Sequence, residues 1–446
     1  MKHYDLIVLG SGSAGNQVAH KTNEAGWNVA VINDGPFGGT CAVRGCIPKK
    51  VLAGTAEVAD MTKRLYDKGL FEETPSLNWQ KTIDFKRSFT DPFPDNVKNS
   101  LVDAGIDIYE GSPRFTGDRQ LEINGEQVSA DKVYIAVGAK PAKLPFDGAE
   151  HMITSDDFLE LDDLPKNIVF VGGGYVSFEF AHIAVRYGSE VTILHNNDRP
   201  LPMFDKDIID TLLKASKSAG IHVVLGASAA NIEKIGEKFT VATDSGEAYP
   251  ADLVINGAGR PPAIDGLNLE ATNVAYDKRK GIEVDEQLRS VSNENVYAAG
   301  DAANAGPPLS PVAGVQGGIV GDNLLGGERT QPNYHSTPSV IFTTPSAGAV
   351  GYLEDEAKEQ GIDYEVRIND ISGWFDSKRL NQLHAMSKVL IEKSTNKVVG
   401  AHIIGDHAAD SINLFALAIE HGMTVDQLKA PILAFPTATD DIRSML

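Results

Sequence analysis

The sequence predicts an α/β protein with two Rossmann-like βαβ regions and a C-terminal α+β domain. Three observations carry that expectation. A strand, glycine turn, helix and strand open the chain, and a second copy of the pattern begins near residue 167. From about Thr337 the texture changes to alternating strands ("KVLIEKSTNKVVGAHII") followed by a helix ("ADSINLFALAIEHG"), without a glycine fingerprint.

The first unit reads "DLIVLG", then "SGSAG", then an amphipathic run to Gly26, then "NVAVIND". Gly10, Gly12 and Gly15 form a Gly-x-Gly-x-x-Gly turn, with Ser13 inside it, at the strand-to-helix junction. Such glycines let the backbone approach a pyrophosphate, and the helix N-terminus aims N–H groups at its negative charge. A ribose-binding acid is expected some twenty residues later. There Asn33 occupies the usual position and Asp34 follows it; either side chain can accept from hydroxyls, and Asp34 is preferred.

The second unit, "KNIVFVGGGYVSFEFAHIAVRYGSEVTIL", carries Gly172 and Gly174, with Ser177 in the third slot. Two dinucleotide folds in one chain imply two cofactors. The following strand ends "VTILHNNDRP", placing His195 where an acid would bind a ribose 2′-hydroxyl, with Asn196, Asn197 and Arg199 close by. Without that carboxylate the chief objection to a 2′-phosphate is gone, so NADPH is expected in preference to NADH, with His195 and Arg199 holding the phosphate. Three further strand-then-glycine stretches follow the same grammar: "VYIAVGAKP" with Gly138, "LVINGAGRPP" with Gly259 and Arg260, and "VYAAGDAAN" with Gly300 and Asp301.

Cys41 and Cys46, in "GGTCAVRGCIPKK", are the only cysteines among 446 residues. A structural disulfide is the bland reading, but closing so small a loop removes little unfolded-state entropy from a chain able to bury a full core. Zinc needs four ligands, and no Cys or His cluster stands beside the pair. Redox chemistry is the reading that remains. The charge balance, 61 acidic against 40 basic residues for a net −21, disfavours nucleic acid and anionic membranes as partners. The opening "MKHYDLIVLG" has no leader pattern and no stretch is long and apolar enough to span a bilayer, so a cytoplasmic protein is expected.

Taken together, these motifs and their order resemble the FAD-dependent pyridine nucleotide-disulfide oxidoreductases, the class of glutathione reductase, dihydrolipoamide dehydrogenase and mercuric reductase. The resemblance implies a discontinuous FAD domain (1–145 and 265–333), an inserted NAD(P) domain (146–264) and an interface domain (334–446) that makes a homodimer. It implies that NAD(P)H reduces FAD, that FAD reduces a Cys41–Cys46 disulfide, and that the dithiol reduces a substrate. Cys46 resembles the charge-transfer thiol, opening a helix with Pro48 in its first turn, where a helix N-terminus favours thiolate. Cys41 resembles the interchange thiol that attacks substrate. Lys49 matches the lysine that touches the flavin and pairs with a glutamate on the second fingerprint helix, here Glu179. Asp301 matches the aspartate at the ribityl and phosphate region, and Tyr175 the tyrosine covering the nicotinamide site. Gly39, Thr40 and Lys50 around the cysteines, with Gly138, Gly259, Arg260 and Gly300, fall among the cofactor contacts.

One departure matters. Disulfide-reducing members end in a His-Pro-Thr segment whose histidine moves the thiol proton, oriented by an acid five positions on. This chain reads "LAFPTATDD", with Phe435 in place of the histidine and Asp440 in place of the acid. A positioned acid–base group is worth roughly 10²- to 10⁴-fold. Only His402, His407 and His421 lie near enough in sequence to be considered as substitutes. Phenylalanine here resembles 2-ketopropyl-coenzyme M oxidoreductase/carboxylase, where an apolar wall keeps protons from a carbanion. The two-cysteine total leaves no C-terminal thiol pair of the kind mercuric reductases and large thioredoxin reductases carry. The expected activity is reduction of an unidentified disulfide or other electrophile; the alternatives are a diaphorase acting on quinones or metal ions and a carboxylase of the coenzyme M type. No resident metal is expected.

Overall fold

The computed structural model describes residues 1–446, which divide into two compact units: 1–49 with 84–142 and 259–332, and 50–83 with 143–258 and 333–446.

In the first unit, strand β1 (Lys2–Leu9) lies centrally, parallel to β2 (Val29–Asn33) on one side and to the strand Glu126–Ile135 on the other. Asp107–Glu110 extends the sheet beyond β2. Gln120–Ile123 and Arg114–Gly117 continue it on the other side as antiparallel strands, and Val296–Ala298 pairs in parallel with Glu126–Ile135. Both faces of the parallel portion are covered, which is why "LIVL" and "VAVI" are continuous apolar runs rather than alternating ones. With period two, Leu6, Val8, Val29 and Val31 enter one core together with helix α1 (Ser13–Glu24), while Ile7, Leu9, Ala30 and Ile32 enter the other.

The β1–α1 turn is sterically committed. Gly10 has φ +102°, and a Cβ there would sit 2.4 Å from the Ala136 carbonyl oxygen. A Cβ on Gly15 would lie 1.9 Å from the Gly10 carbonyl oxygen, a contact that only backbone movement relieves. Gly15→Ala is therefore expected to cost about 1–3 kcal/mol of stability and to be recovered with less bound flavin per chain, read from the ratio of visible to protein absorbance. Full flavin loading would show that the turn yields.

In the second unit a four-stranded parallel sheet runs in the order Leu253–Asn256, Asn167–Val171, Glu190–His195, Ile221–Leu225. The helix Tyr175–Arg186 follows its second strand, and Lys206–Ser218 lies between the last two. A separate antiparallel trio spans Ala229–Ile235, Lys238–Thr243 and Ala248–Ala251. The C-terminal part is a five-stranded antiparallel sheet, ordered Ser339–Ile341, Ser346–Gly351, Lys397–Gly405, Met386–Glu392, Tyr364–Asp370. The helix Ala408–Glu420 buries Ala408, Ile412 and Phe415 in the same core as Val389, Ala401 and Ile403 of that sheet.

Lys388, with 3% of its side chain exposed, joins the two sheet systems of this unit through Asp205 at 3.0 Å, Asp207 at 2.7 Å and Glu354 at 2.7 Å. A buried cation is tolerated only when its charge is matched in this way. The ammonium occupies the space between three carboxylates that would otherwise suit a metal ion. No helix is long and apolar enough to cross a membrane.

Candidate functional site

The two cysteines stand on consecutive helices. Helix α2 (Gly39–Arg44) starts from Gly38 and carries Cys41, and helix α3 (Cys46–Tyr66) begins at Cys46 itself, with Gly45 as the turn between them. Neither sulfur is in a disulfide in this structure. Cys46 Sγ lies 3.5 Å from the Ser310 hydroxyl, and each sulfur shifts the ionisation of the other. The Cys41 thiol, the Ser310 hydroxyl, the charge of Lys49 and the backbone N–H at its own helix start together lower the Cys46 thiol to about 6, against the opposing effect of burial. Cys41 moves the other way: its hydrogen bond to Cys46 and its burial push its pKa up. The two sulfurs are thus shifted in opposite directions, Cys46 toward thiolate and Cys41 toward thiol.

Around this pair the first unit has the features of a dinucleotide cradle. No side chain caps α1 at Gly12, so its first-turn N–H groups are left for a ligand. Gly39 approaches so closely that a Cβ on it would be 2.6 Å from Gly12 Cα. Ser13 and Thr40 open α1 and the first turn of α2. Asp301 has its carboxyl pKa raised by burial, opposed by the charge of Arg260. Gly300 N–H donates to Gln316 Oε1 at 2.7 Å, which fixes the Gly300–Ala302 turn. Arg260 donates to the Ala139 carbonyl at 3.0 Å, and Gly138 accepts from Ala263 N–H at 2.8 Å, tying the two strand-then-glycine stretches together beside Gly259. Free backbone donors at a glycine turn and a half-buried carboxylate suit a phosphate-bearing, hydroxyl-rich group such as FAD.

Asn33 is spent on this turn. Its Oδ1 accepts from the Ser11 N–H at 3.1 Å and the Ser11 hydroxyl at 2.9 Å, while its amide donates to the Gly35 carbonyl at 2.6 Å. Asp34 is exposed and accepts only from the Ser112 hydroxyl at 2.7 Å. Of the two sequence candidates for the ribose, Asp34 is the one with acceptor capacity to offer.

In the second unit Gly172 ends the strand Asn167–Val171, Gly174 caps the helix Tyr175–Arg186, and Tyr175, at its first position, is 53% exposed. Glu179 is buried in the same helix and accepts the Phe342 N–H at 2.8 Å. Lys49 is buried in the first unit. Lys50, exposed, pairs with Glu57 at 2.7 Å and lies 4.5 Å from the Phe342 ring centroid. His195 accepts the Gly173 N–H at Nδ1, 3.1 Å away, and its Nε2 donates to the Arg199 carbonyl at 3.1 Å. Arg199 donates to the Phe204 carbonyl at 2.8 Å and sits 3.9 Å from Asp355. Asn196 is exposed. The loop therefore contains the predicted residues, with His195 and Arg199 oriented by internal hydrogen bonds.

Phe435 is 83% exposed and precedes a cis Pro436. Thr437 donates its hydroxyl to the Ala434 carbonyl at 2.7 Å and accepts from Asp440 N–H at 3.2 Å, forming a tight turn that orders the segment. His402 is wholly buried and bonded to the Tyr352 carbonyl at 3.1 Å. His421 ends the helix Ala408–Glu420. His407, 3.1 Å from Asp376, is the one of the three that lines a cleft shared with Ala438 and Asp441 of the C-terminal turn. Sequence reasoning passed over Ser310 and Ser11. The signal for Ser310 is "LSPVAG", a Ser-Pro step that opens a helix.

Residues 4–317 match the family described as pyridine nucleotide-disulphide oxidoreductase, and residues 337–446 match that family's dimerisation domain. A mercuric reductase from Lysinibacillus sphaericus is 31% identical over 99% of this chain and 82% of its own length. A glutathione reductase from Burkholderia cepacia is 31% identical over 98% of this chain and 97% of its own. A solved Cu(II) complex of the HOCl-induced flavoprotein disulfide reductase RclA from Escherichia coli superposes with a TM-score of 0.89 at 25% identity, covering 100% of this chain and 99% of that one. Two glycine fingerprints, an asymmetric thiol pair between them and a closing dimerisation domain are the plan of one family, and this chain belongs to it: the pyridine nucleotide-disulphide oxidoreductases.

Proposed function

We propose that this flavoprotein, which passes electrons from NAD(P)H through FAD to a redox-active cysteine pair as its family does, delivers them from Cys41 to a small disulfide or similar electrophile by a route without an acid–base histidine. The observation carrying this reading is the placement of the pair, Cys41 on α2 and Cys46 at the first position of α3 with its sulfur 3.5 Å from the Ser310 hydroxyl. When bound, FAD supplies the two-electron link between the nicotinamide and the sulfurs. Gly10, Gly12, Gly15, Asp34, Gly39 and Asp301 would hold it. Lys49 serves the flavin side, and Tyr175 covers the nicotinamide site. The domain limits 1–145 with 265–333, 146–264 and 334–446 belong to the same reading, as do homodimerisation through residues 334–446 and a cytoplasmic setting.

NADPH is the preferred donor. In favour stands His195 in place of an acid at the end of its strand. Initial rates with each nucleotide are expected to give a kcat/KM for NADPH several-fold above that for NADH. His195→Glu should reverse the order, and an NADH preference in the unmodified protein would end the proposal.

The test of the whole reading is an anaerobic titration with NADPH, following the flavin spectrum and counting free thiols. About two electrons should produce two new thiols and a long-wavelength thiolate–flavin band. Direct bleaching of the flavin without new thiols would move the diaphorase alternative, with quinones or metal ions as acceptors, ahead. A second reading draws on Phe435: an apolar group where an acid is usual suits capture of a carbanion by CO2, as in 2-ketopropyl-coenzyme M oxidoreductase/carboxylase. The mercuric reductase relative and the Cu(II) complex of RclA bring metal ions into the acceptor screen. The absence of any cysteine beyond Cys41 and Cys46 puts disulfides first.

A further inference from the structure

We infer that His195 is a positioning residue that braces the second glycine turn for the nicotinamide nucleotide and is not itself a ligand of a 2′-phosphate. The inference deepens the nucleotide reading above and rests on it. A Cβ on Gly173 would lie 2.6 Å from His195 Cγ and 2.8 Å from its Nδ1, so the imidazole lies directly against the turn and only glycine fits beneath it. The Gly173 N–H donates to Nδ1 at 3.1 Å. A nitrogen that accepts carries no proton, so the ring proton is on Nε2, which donates it to the Arg199 carbonyl at 3.1 Å. Both nitrogens are used in this way, and neither has a proton left to give to a phosphate oxygen.

Gly173 is held from its other side as well, since its carbonyl accepts the Leu201 N–H at 3.2 Å. Leu201 is buried with φ +51°, a left-handed conformation that a non-glycine residue keeps only when its surroundings impose it. The strand end and its loop are tied down in turn: Ala227 N–H donates to the His195 carbonyl at 2.9 Å, and Gly226 N–H to the Asn197 carbonyl at 3.0 Å. The imidazole is thus the side-chain link in a set of backbone bonds that joins Gly173 to residues 195–201. In a glycine turn of this kind the pyrophosphate sits at the helix N-terminus, here that of Tyr175–Arg186. NADPH and NADH have that pyrophosphate in common. A brace on the turn therefore serves both nucleotides equally, whereas a phosphate ligand would serve NADPH alone.

His195→Ala, His195→Asn and His195→Gln test the brace on the FAD-loaded protein. Asn places an acceptor where Nδ1 stands, and Gln places an amide donor near the position of Nε2. The readouts are equilibrium binding of NADP⁺ and NAD⁺, which leave the oxidised flavin unreduced, and kcat and KM separately for NADPH and NADH. His195→Ala should weaken binding and raise KM about tenfold for both nucleotides, with the ratio between them within about twofold of the unmodified protein and kcat little changed. His195→Asn should recover most of that loss for both, because it keeps the Gly173 bond, and His195→Gln should not. If His195→Ala fails to fold, the contrast between the Asn and Gln variants carries the test. A loss confined to NADP⁺ and NADPH makes His195 a phosphate ligand and overturns the inference; so does unchanged binding of both nucleotides, or equal behaviour of Asn and Gln. An NADH preference in the unmodified protein ends the NADPH assignment above, and the brace stands if both nucleotides still weaken together in His195→Ala.

Discussion

Replacing Cys41 by serine is expected to lower NADPH-dependent disulfide reduction by about 10³-fold or more, because it removes the nucleophile and no second thiol can take over. The chain has only Cys41 and Cys46, so no cysteine elsewhere can rescue the reaction. Transfer of electrons from the reduced flavin to a quinone or oxygen should persist within a few-fold, since that transfer needs no sulfur. The two activities measured on one preparation separate the readings. Loss of disulfide turnover with quinone turnover retained makes the dithiol the working site. Disulfide turnover that survives in Cys41→Ser would show that substrate takes electrons elsewhere. In the unmodified protein the thiolate band should be present above about pH 6 and lost as pH falls through that value.

Much of this architecture was legible in the sequence because its constraints are local. Gly15 is dictated by the Gly10 carbonyl of the same turn and Gly10 by its own φ of +102°, and the continuous apolar runs of β1 and β2 follow from burial on both faces. The thiol pair was legible by spacing, with Cys46 at a helix start. What the sequence did not disclose lies in contacts across long separations. Ser310 is 264 residues from Cys46, and nothing local marks it as a sulfur partner. Asn33 could be read as a ribose ligand from its position alone; the structure shows its amide committed to Ser11 and Gly35. His195 is similar, since its place at the strand end was predictable while the engagement of both ring nitrogens by Gly173 and Arg199 depends on how the loop closes. The histidine candidates sort by burial, which sequence conveys poorly: His402 is inside the sheet and has its pKa lowered by desolvation, whereas His407 lines a cleft.

Phe435→His is expected to raise disulfide turnover by about 10²-fold, within the range a positioned acid–base group supplies. The position is permissive, because Phe435 is 83% exposed and its loss removes little buried apolar contact from its own chain. Asp440 stands five positions after Phe435, and the turn in which its N–H donates to the Thr437 hydroxyl does not involve the 435 side chain. The introduced imidazole should add an ionisation near its ordinary value of about 6.5. Turnover in the variant should therefore rise as pH increases through that range, on top of the dependence set by Cys46. The size of the gain discriminates between two ways of living without the histidine. A large gain means that proton transfer limits the native enzyme and that phenylalanine attenuates an otherwise ordinary disulfide reductase. No gain, with the thiol pair still cycling, means that proton transfer at this position does not limit turnover. A fall would identify the apolar side chain as a functional wall and direct the acceptor search toward electrophiles whose intermediates must be shielded from protons.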